Sequence, residues 1–296
     1  MKLQNLLTLA TVGFLIASAS ASVTIDWVTV GNAGNAADAN GYGAVSYNYR
    51  IGKYEVTNAQ YGEFLNATAA TDSYELYNTG MESYGIARTG SSGSYTYSVT
   101  GVLANHPVAH ISWYDAARFA NWLANGQGNG STETGSYTLN GKTSGIVLVN
   151  PGAQVYIPTE NEWYKAAYYN PATATYSLYP NGQSTMTSAE ANSGNIIGFT
   201  TNVGSYAANP SAYGTFDQGG NVWEWNDTVS LGWTRGKRGG SWFADDAYLA
   251  SVYRLDSDPS NGNYISGFRL ASVPEPRALI LTTLASGAML LRRRRK

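Results

Sequence analysis

Apolar and polar positions alternate strictly in two early stretches and fall on helical spacing in three later ones, with long polar runs between them. Residues 23–30 and 49–56 carry the period-two pattern of half-buried strands. Thr57 with Gln60 then forms a capping box, and Tyr61, Phe64 and Leu65 follow on one side of a helix. Ser112 with Asp115 opens a second helix reaching about Ala124, with Trp113, Ala117, Ala120 and Leu123 near one face. Thr159 with Glu162 opens a third, carrying Trp163, Ala166 and Ala167. Glu160 and Glu162 lie in its first turn, where the helix dipole favours negative charge, so we read them as capping groups rather than an acid pair. The runs 68–104, 126–154 and 170–210 are rich in Gly, Ser, Thr, Asn and Tyr and predict loops. Residues 136–139 and 145–149 read as a hairpin within them, and 196–203 as a break in the last. Three capped helices scattered among short strands predict an α+β, loop-rich domain.

Composition sharpens this picture. Only 13% of the residues are charged, whereas Tyr (23), Trp (8) and Gly (33) are abundant, which suits a loop-rich, aromatic-cored exported domain. There is no cysteine, so disulfides, thiolate metal sites and thiol nucleophiles are excluded. Seven of the 18 basic residues lie at the two ends, leaving 11 against 20 acids over residues 22–276, a net charge of -9. Such a body repels a phosphate backbone and predicts no nucleic-acid partner, but it is compatible with divalent cations. Residues 1–21 combine Lys2, an apolar run and Ala19-Ser-Ala21, the pattern of a secretory signal peptide cut before Ser22. The run is too short to span a bilayer.

The densest chemistry lies at 214–225, where Asp217, Gly219, Gly220, Trp223, Glu224 and Trp225 crowd together. Gly219 and Gly220 permit a sharp turn with carbonyls facing inward. Asp217 and Glu224 bracket it, and carboxylates around exposed carbonyls are what Ca²⁺ takes. In an extended segment Trp223 and Trp225 share one face, read as core, and Glu224 takes the other, read as site. A glycine-rich hairpin with two core tryptophans and two solvated acids fits the spacing equally well. His106 and His110 are four apart, but Pro107 makes the run extended, so structural roles are favoured over metal ligation. Arg254 and Arg269 are read as forks on buried carboxylates or carbonyls.

Five ordered blocks over about 45–271 carry a resemblance: 51–67 (IGKYEVTNAQYGEFLNA), 157–167 (IPTENEWYKAA), the 214–225 stretch, Arg238-Gly-Gly-Ser-Trp242 and Gly267-Phe-Arg269. Together they resemble the formylglycine-generating enzyme (sulfatase-modifying factor) family. The resemblance implies that family's variant of the C-type-lectin fold over residues 22–272. It also implies one Ca²⁺ near Asn192 and Ser193, and a second at Asp217 and Glu224 with the carbonyls of Gly220 and Val222. The family's two Cu(I)-binding cysteines belong near Ala244 and Leu249, where this chain has none, so no copper is expected and the known oxidation cannot run.

The first expectation is therefore a non-catalytic, Ca²⁺-stabilised ligand-binding module. Its pocket follows Trp242 and uses Asp245, Asp246, Tyr248, Tyr253, Arg254 and Asn263, a makeup suited to adaptable contacts, with a surface glycan or matrix ligand as partner. The alternative is a divergent maturation oxidase of the same family using another metal or base. Residues 273–296, with Pro274-Glu-Pro276, a short apolar run and Arg292 to Lys296, resemble a PEP-CTERM sorting tail. That implies exosortase-type machinery, membrane contact through the tail alone, and delivery to the cell surface or extracellular matrix.

Overall fold

Each α-helix begins where its capping box places it. In the computed structural model, which describes residues 22–273, Gln60 Oε1 accepts from the Thr57 amide at 2.9 Å ahead of α1 (Asn58–Thr68). Asp115 Oδ2 accepts from the Ser112 amide at 2.8 Å ahead of α2 (Trp113–Ala124), and Glu162 Oε2 from the Thr159 amide at 2.8 Å ahead of α3 (Glu160–Tyr168). Satisfying otherwise orphaned amides at the first turn is what makes these starts legible. The signal peptide and the sorting tail lie outside the described residues.

The strands are shorter than the alternation predicts. β1 covers Trp27–Val30 and β2 Tyr49–Gly52, ending where the Gly52 amide turns to the Leu270 carbonyl at 2.8 Å. Two ribbons follow elsewhere in the chain: β3 (Ile86–Thr89) with β4 (Thr96–Val99), and β6 (Tyr169–Asn170) with β7 (Thr175–Tyr176). One four-stranded sheet has the order β1-β2-β12-β5, where β5 is Val155–Tyr156 and β12 is Ala271–Ser272. Ala271 lies opposite both Ile51 and Tyr156, so the end of the domain is stitched to its beginning. The second sheet, β10-β9-β8-β11, is built on β8 (Trp223–Ser230) and β9 (Thr234–Arg238), with β10 (Leu255–Ser257) and β11 (Ser266–Gly267) at its edges. β11 runs parallel to β8, which brings Gly267 beside Glu224.

The expected hairpin at 136–149 is reduced to a single bridge between Tyr137 and Val149. Its first arm is held by α2 instead: the Tyr137 amide donates to Asn121 Oδ1 at 2.7 Å and Asn121 Nδ2 donates to the Tyr137 carbonyl at 3.0 Å. No strand forms over 196–203, where the chain bends under side-chain bonds from Asn192 and Asn221.

The main core lies between α1 and α2 and the sheets. Phe64, Phe119 and Trp122 interlock within it, with ring centroids 5.4 to 5.7 Å apart. α2 is buried from Trp113 through Trp122, not on one stripe only. Its one arginine, Arg118, is accommodated by Glu133 at 2.7 Å.

Candidate functional site

The 214–225 stretch is the knot that joins four segments. Gly220 donates to the Gly239 carbonyl (2.8 Å), Asn221 to Asn192 (2.9 Å) and Trp223 to Ile265 (2.7 Å), while Trp242 donates back to Asn221 (2.9 Å). The turn is left-handed at Asp217 (φ 58°), Gly220 (φ 89°) and Asn221 (φ 57°), whereas Gly219 does not require positive φ. Gly220 has a second reason to be glycine: a Cβ there would lie 2.3 Å from the Asn192 carbonyl oxygen.

Trp225 enters the main core, its indole N–H donating to the Ile111 carbonyl at 2.8 Å. Glu224 points to the opposite face, as the alternation requires, but that face is interior. Arg269 grips both its oxygens, at 2.6 and 2.7 Å, and the Trp163 indole adds a bond of 2.8 Å. The open carboxylate site expected at Glu224 is thus an ion pair with both partners at 0% exposure. The physical reason is that a guanidinium fork meets the charge of a buried carboxylate and both of its acceptors at once.

Two further carboxylates belong to this cluster. Asp217 accepts from the Gly204 amide at 2.5 Å, and burial, reinforced by Glu224, raises it to about 6. Glu55 is buried with neither oxygen hydrogen-bonded. Burial first, then Asp217 and Glu224, push it well above the ordinary carboxylate range. Nothing in the spacing around Glu55 marked it, because the strand containing it reads as plain architecture.

At the other cation site expected from the sequence, Asn192 Oδ1 is buried without a partner, although its Nδ2 donates to Phe199 and Asn221. Ser193 instead donates to Asp246 Oδ1 at 2.5 Å, so the two residues assigned to different sites meet. Among the described residues no three His, Cys, Asp or Glu side chains converge on one point. A cation at either place would therefore draw on amide and carbonyl oxygens too.

Around the segment after Trp242 the structure gathers aromatic rings at the surface. Trp242, Phe243 and Tyr264 form a triad with centroids 5.5, 5.9 and 6.2 Å apart. Tyr248 and Tyr253 pack at 4.9 Å, with Trp223 beneath Tyr248. Phe243, Tyr248, Tyr253 and Tyr264 keep 38 to 50% of their surface exposed, and Asp245 is exposed beside them. Trp242 is the buried base of the triad at 7%, its indole N–H unpaired.

Other residues assigned to this pocket serve its frame. Arg254 pairs with Glu160 at 2.8 Å and with Asp256. Glu160 also holds Arg238 at 2.7 Å, so it is an ionic anchor rather than only a first-turn charge. Asn263 Oδ1 accepts from Ser266 and Ile265, and its carbonyl accepts from the His110 amide at 2.9 Å. Ala244 is half-buried, and Leu249 fills a small apolar cluster with Met186 and Ala191. The sequence reading missed the rings that come from elsewhere in the chain: Tyr84 stacks on Phe199 at 4.7 Å and meets His110 edge-on at 5.2 Å. Tyr84 ends a short 3-10 helix (Thr79–Tyr84), and Phe199 and His110 sit in loops, so none carries a periodic signal. His106 bonds Thr200 at 2.9 Å, and burial lowers the pKa of both histidines.

The described residues thus form a loop-rich α+β domain built on two four-stranded sheets and a buried ionic knot. More narrowly, the chain belongs to the sulfatase-modifying factor enzyme 1-like domain family, whose model matches residues 28–273. Among curated proteins it is 27% identical to hercynine oxygenase of Mycobacterium tuberculosis, over 75% of this chain and 52% of that protein. It is 25% identical to the formylglycine-generating enzyme of Thermomonospora curvata, over 76% and 82%. The chain spans about half the length of the hercynine oxygenases it matches. Among solved structures, Treponema denticola variable protein 1 superposes with a TM-score of 0.61 at 22% identity, covering 86% of this chain and 98% of that one. CarF superposes at 0.59 with 23% identity, covering 85% and 99%.

Proposed function

We propose that this protein is an exported, non-catalytic ligand-binding module of its family, sorted by exosortase-type machinery to the cell surface or extracellular matrix, where it takes a glycan or matrix ligand. The observation that carries the reading is the aromatic face after Trp242. Four half-exposed rings clustered over two buried tryptophans, Trp242 and Trp223, have the aromatic makeup of contact sites. Tyrosines with few rotatable bonds lose little entropy on binding. Alanine at both Tyr248 and Tyr253 is expected to weaken binding to isolated extracellular matrix at least about tenfold, as removal of central aromatic anchors does. Unchanged capture by the folded double variant in a plate assay would remove the face from the site.

Calcium belongs to this reading as a stabilising ion at one or both of two places, one near Asn192 and Ser193 and one at Asp217 and Glu224 with the carbonyls of Gly220 and Val222. The partnerless buried oxygens of Asn192 and Glu55 support it. Glu224 fits less well, since Arg269 and Trp163 already occupy its oxygens. An ion bound only by the folded state at a hundredfold excess over its dissociation constant stabilises by about 2.7 kcal/mol. For a domain of this size that is a rise of roughly 5–10 °C in melting temperature. Scans with and without chelator test it, and identical curves would remove calcium from the account.

A second reading, a maturation oxidase, is favoured by the relatives' names. The chain supplies no thiolate for copper. Conversion of a cysteine-containing sulfatase peptide by the purified protein, seen as a mass change, would put this reading in place of the first.

A further inference from the structure

Beyond the 260–264 turn that carries Tyr264, the surface opens into a cleft of about 670 Å³, within the size range of small-molecule sites. Its walls are the loop ahead of β3, the start of α2 and the turn at 260–262. None of the aromatic residues after Trp242 lines it.

The chemistry of the walls is specific. Tyr77 and Tyr95 are bridged by the Arg88 guanidinium, 4.7 and 4.4 Å from their ring centroids, and Arg88 is neutralised by Asp72 at 2.9 Å. Tyr74 is stacked by Arg118 at 4.3 Å. Arg118 is fully buried and binds Glu133 and the Lys142 carbonyl through Nε and Nη2, while its Nη1 has no acceptor. That N–H is itself buried and offers nothing at the cleft surface, so it is a cost of the frame rather than a donor for a ligand.

These features discriminate between ligand classes. Both arginines are already paired with carboxylates, and the amides at the head of α2 are taken up by its cap. Glu75 adds exposed acid to the lining and Asp115 is held in the cap of α2, so a phosphate or carboxylate ligand finds no unpaired cation there. A lipid finds no continuous apolar wall, because the tyrosines are interleaved with Asp, Thr, Ser and Asn. Tyrosine rings and several carboxylate and hydroxyl acceptors complement a ligand that is neutral, offers C–H faces, and has hydroxyls able to donate. We propose that this cleft binds a short neutral oligosaccharide, independently of whether the aromatic face binds anything.

The test is calorimetry on the full chain with cellotriose, chitotriose and mannotriose, and with trigalacturonic acid as the anionic counterpart. At least one neutral trisaccharide is expected to bind and the acid to bind far more weakly. Tyr74→Ala and Glu75→Gln are expected to weaken that sugar about tenfold or more, while the Tyr248→Ala, Tyr253→Ala double variant binds it as the parent does. Glu75 is exposed, so its isosteric replacement keeps the test valid if Tyr74→Ala fails to fold. No neutral sugar binding at millimolar concentration, or the acid binding as tightly as any of them, would overturn the proposal. So would loss of sugar in the Tyr248, Tyr253 double variant with the cleft variants unaffected, which would move the sugar to the aromatic face.

Discussion

Replacing Arg269 with methionine is expected to destabilise the domain by about 3–5 kcal/mol, the usual consequence of removing one partner from a buried ion pair. Arg269 is completely buried and makes more than the fork to Glu224. It also donates to the Gly52 carbonyl at 2.9 Å and to Phe216 at 2.8 Å. Those bonds tie β2, the central turn and β8 together. Without the guanidinium, Glu224 joins Glu55 and Asp217 as a third carboxyl in one desolvated space. Most of the loss comes from the stranded charge, so adding Glu224→Gln to Arg269→Met should recover part of it. Urea unfolding of the parent, the single and the double variant measures both quantities. A single variant within about 1 kcal/mol of the parent, well below what a broken buried pair costs, would show that the fork is not what holds the turn.

The second large effect is expected at Gly220. Alanine there meets the Asn192 backbone, at 2.3 Å from the carbonyl oxygen and 2.9 Å from its carbon, while φ stands at 89°. Backbone cannot swing aside as a flexible side chain does, so Asn192 must move and the Asn221 to Asn192 bond with it. Gly34 separates the two components of the cost. It has a similar φ of 82° but nothing within 4 Å of its would-be Cβ. Gly34→Ala should therefore lose only the conformational part, about 1–2 kcal/mol, and Gly220→Ala at least about 2 kcal/mol more, in the upper range for single substitutions. Equal losses in thermal scans would mean that the close approach to Asn192 relaxes freely.

The legibility of this chain differs sharply between its parts. The starts of α1, α2 and α3 were readable because a capping box is a bond between residues three apart, complete within the local sequence. The pairing of Arg254 and Arg269 with buried carboxylates was readable as a class of interaction, since a guanidinium in a chain with few bases has to be neutralised when buried. The partners were not, because Glu160 lies 94 residues from Arg254 and Glu224 lies 45 from Arg269. The strands at 23–30 and 49–56 were overestimated because alternation marks residues that could pair, while pairing itself ends where the opposite strand does.

For the candidate sites the division is similar. The sequence by itself determined that the chain carries no thiol chemistry, that its domain has three capped helices and a glycine-bent acidic knot, and that aromatic residues follow Trp242. Only the tertiary structure decided that Glu224 answers to Arg269, that Glu55 shares its space without a hydrogen-bond partner, and that Tyr248 and Tyr253 face outward while Trp242 faces in. Only the fold, likewise, brings Tyr74, Arg88 and Arg118 around one cleft. Local bonding is written in neighbouring residues, whereas burial and charge compensation depend on which distant segments the fold sets side by side.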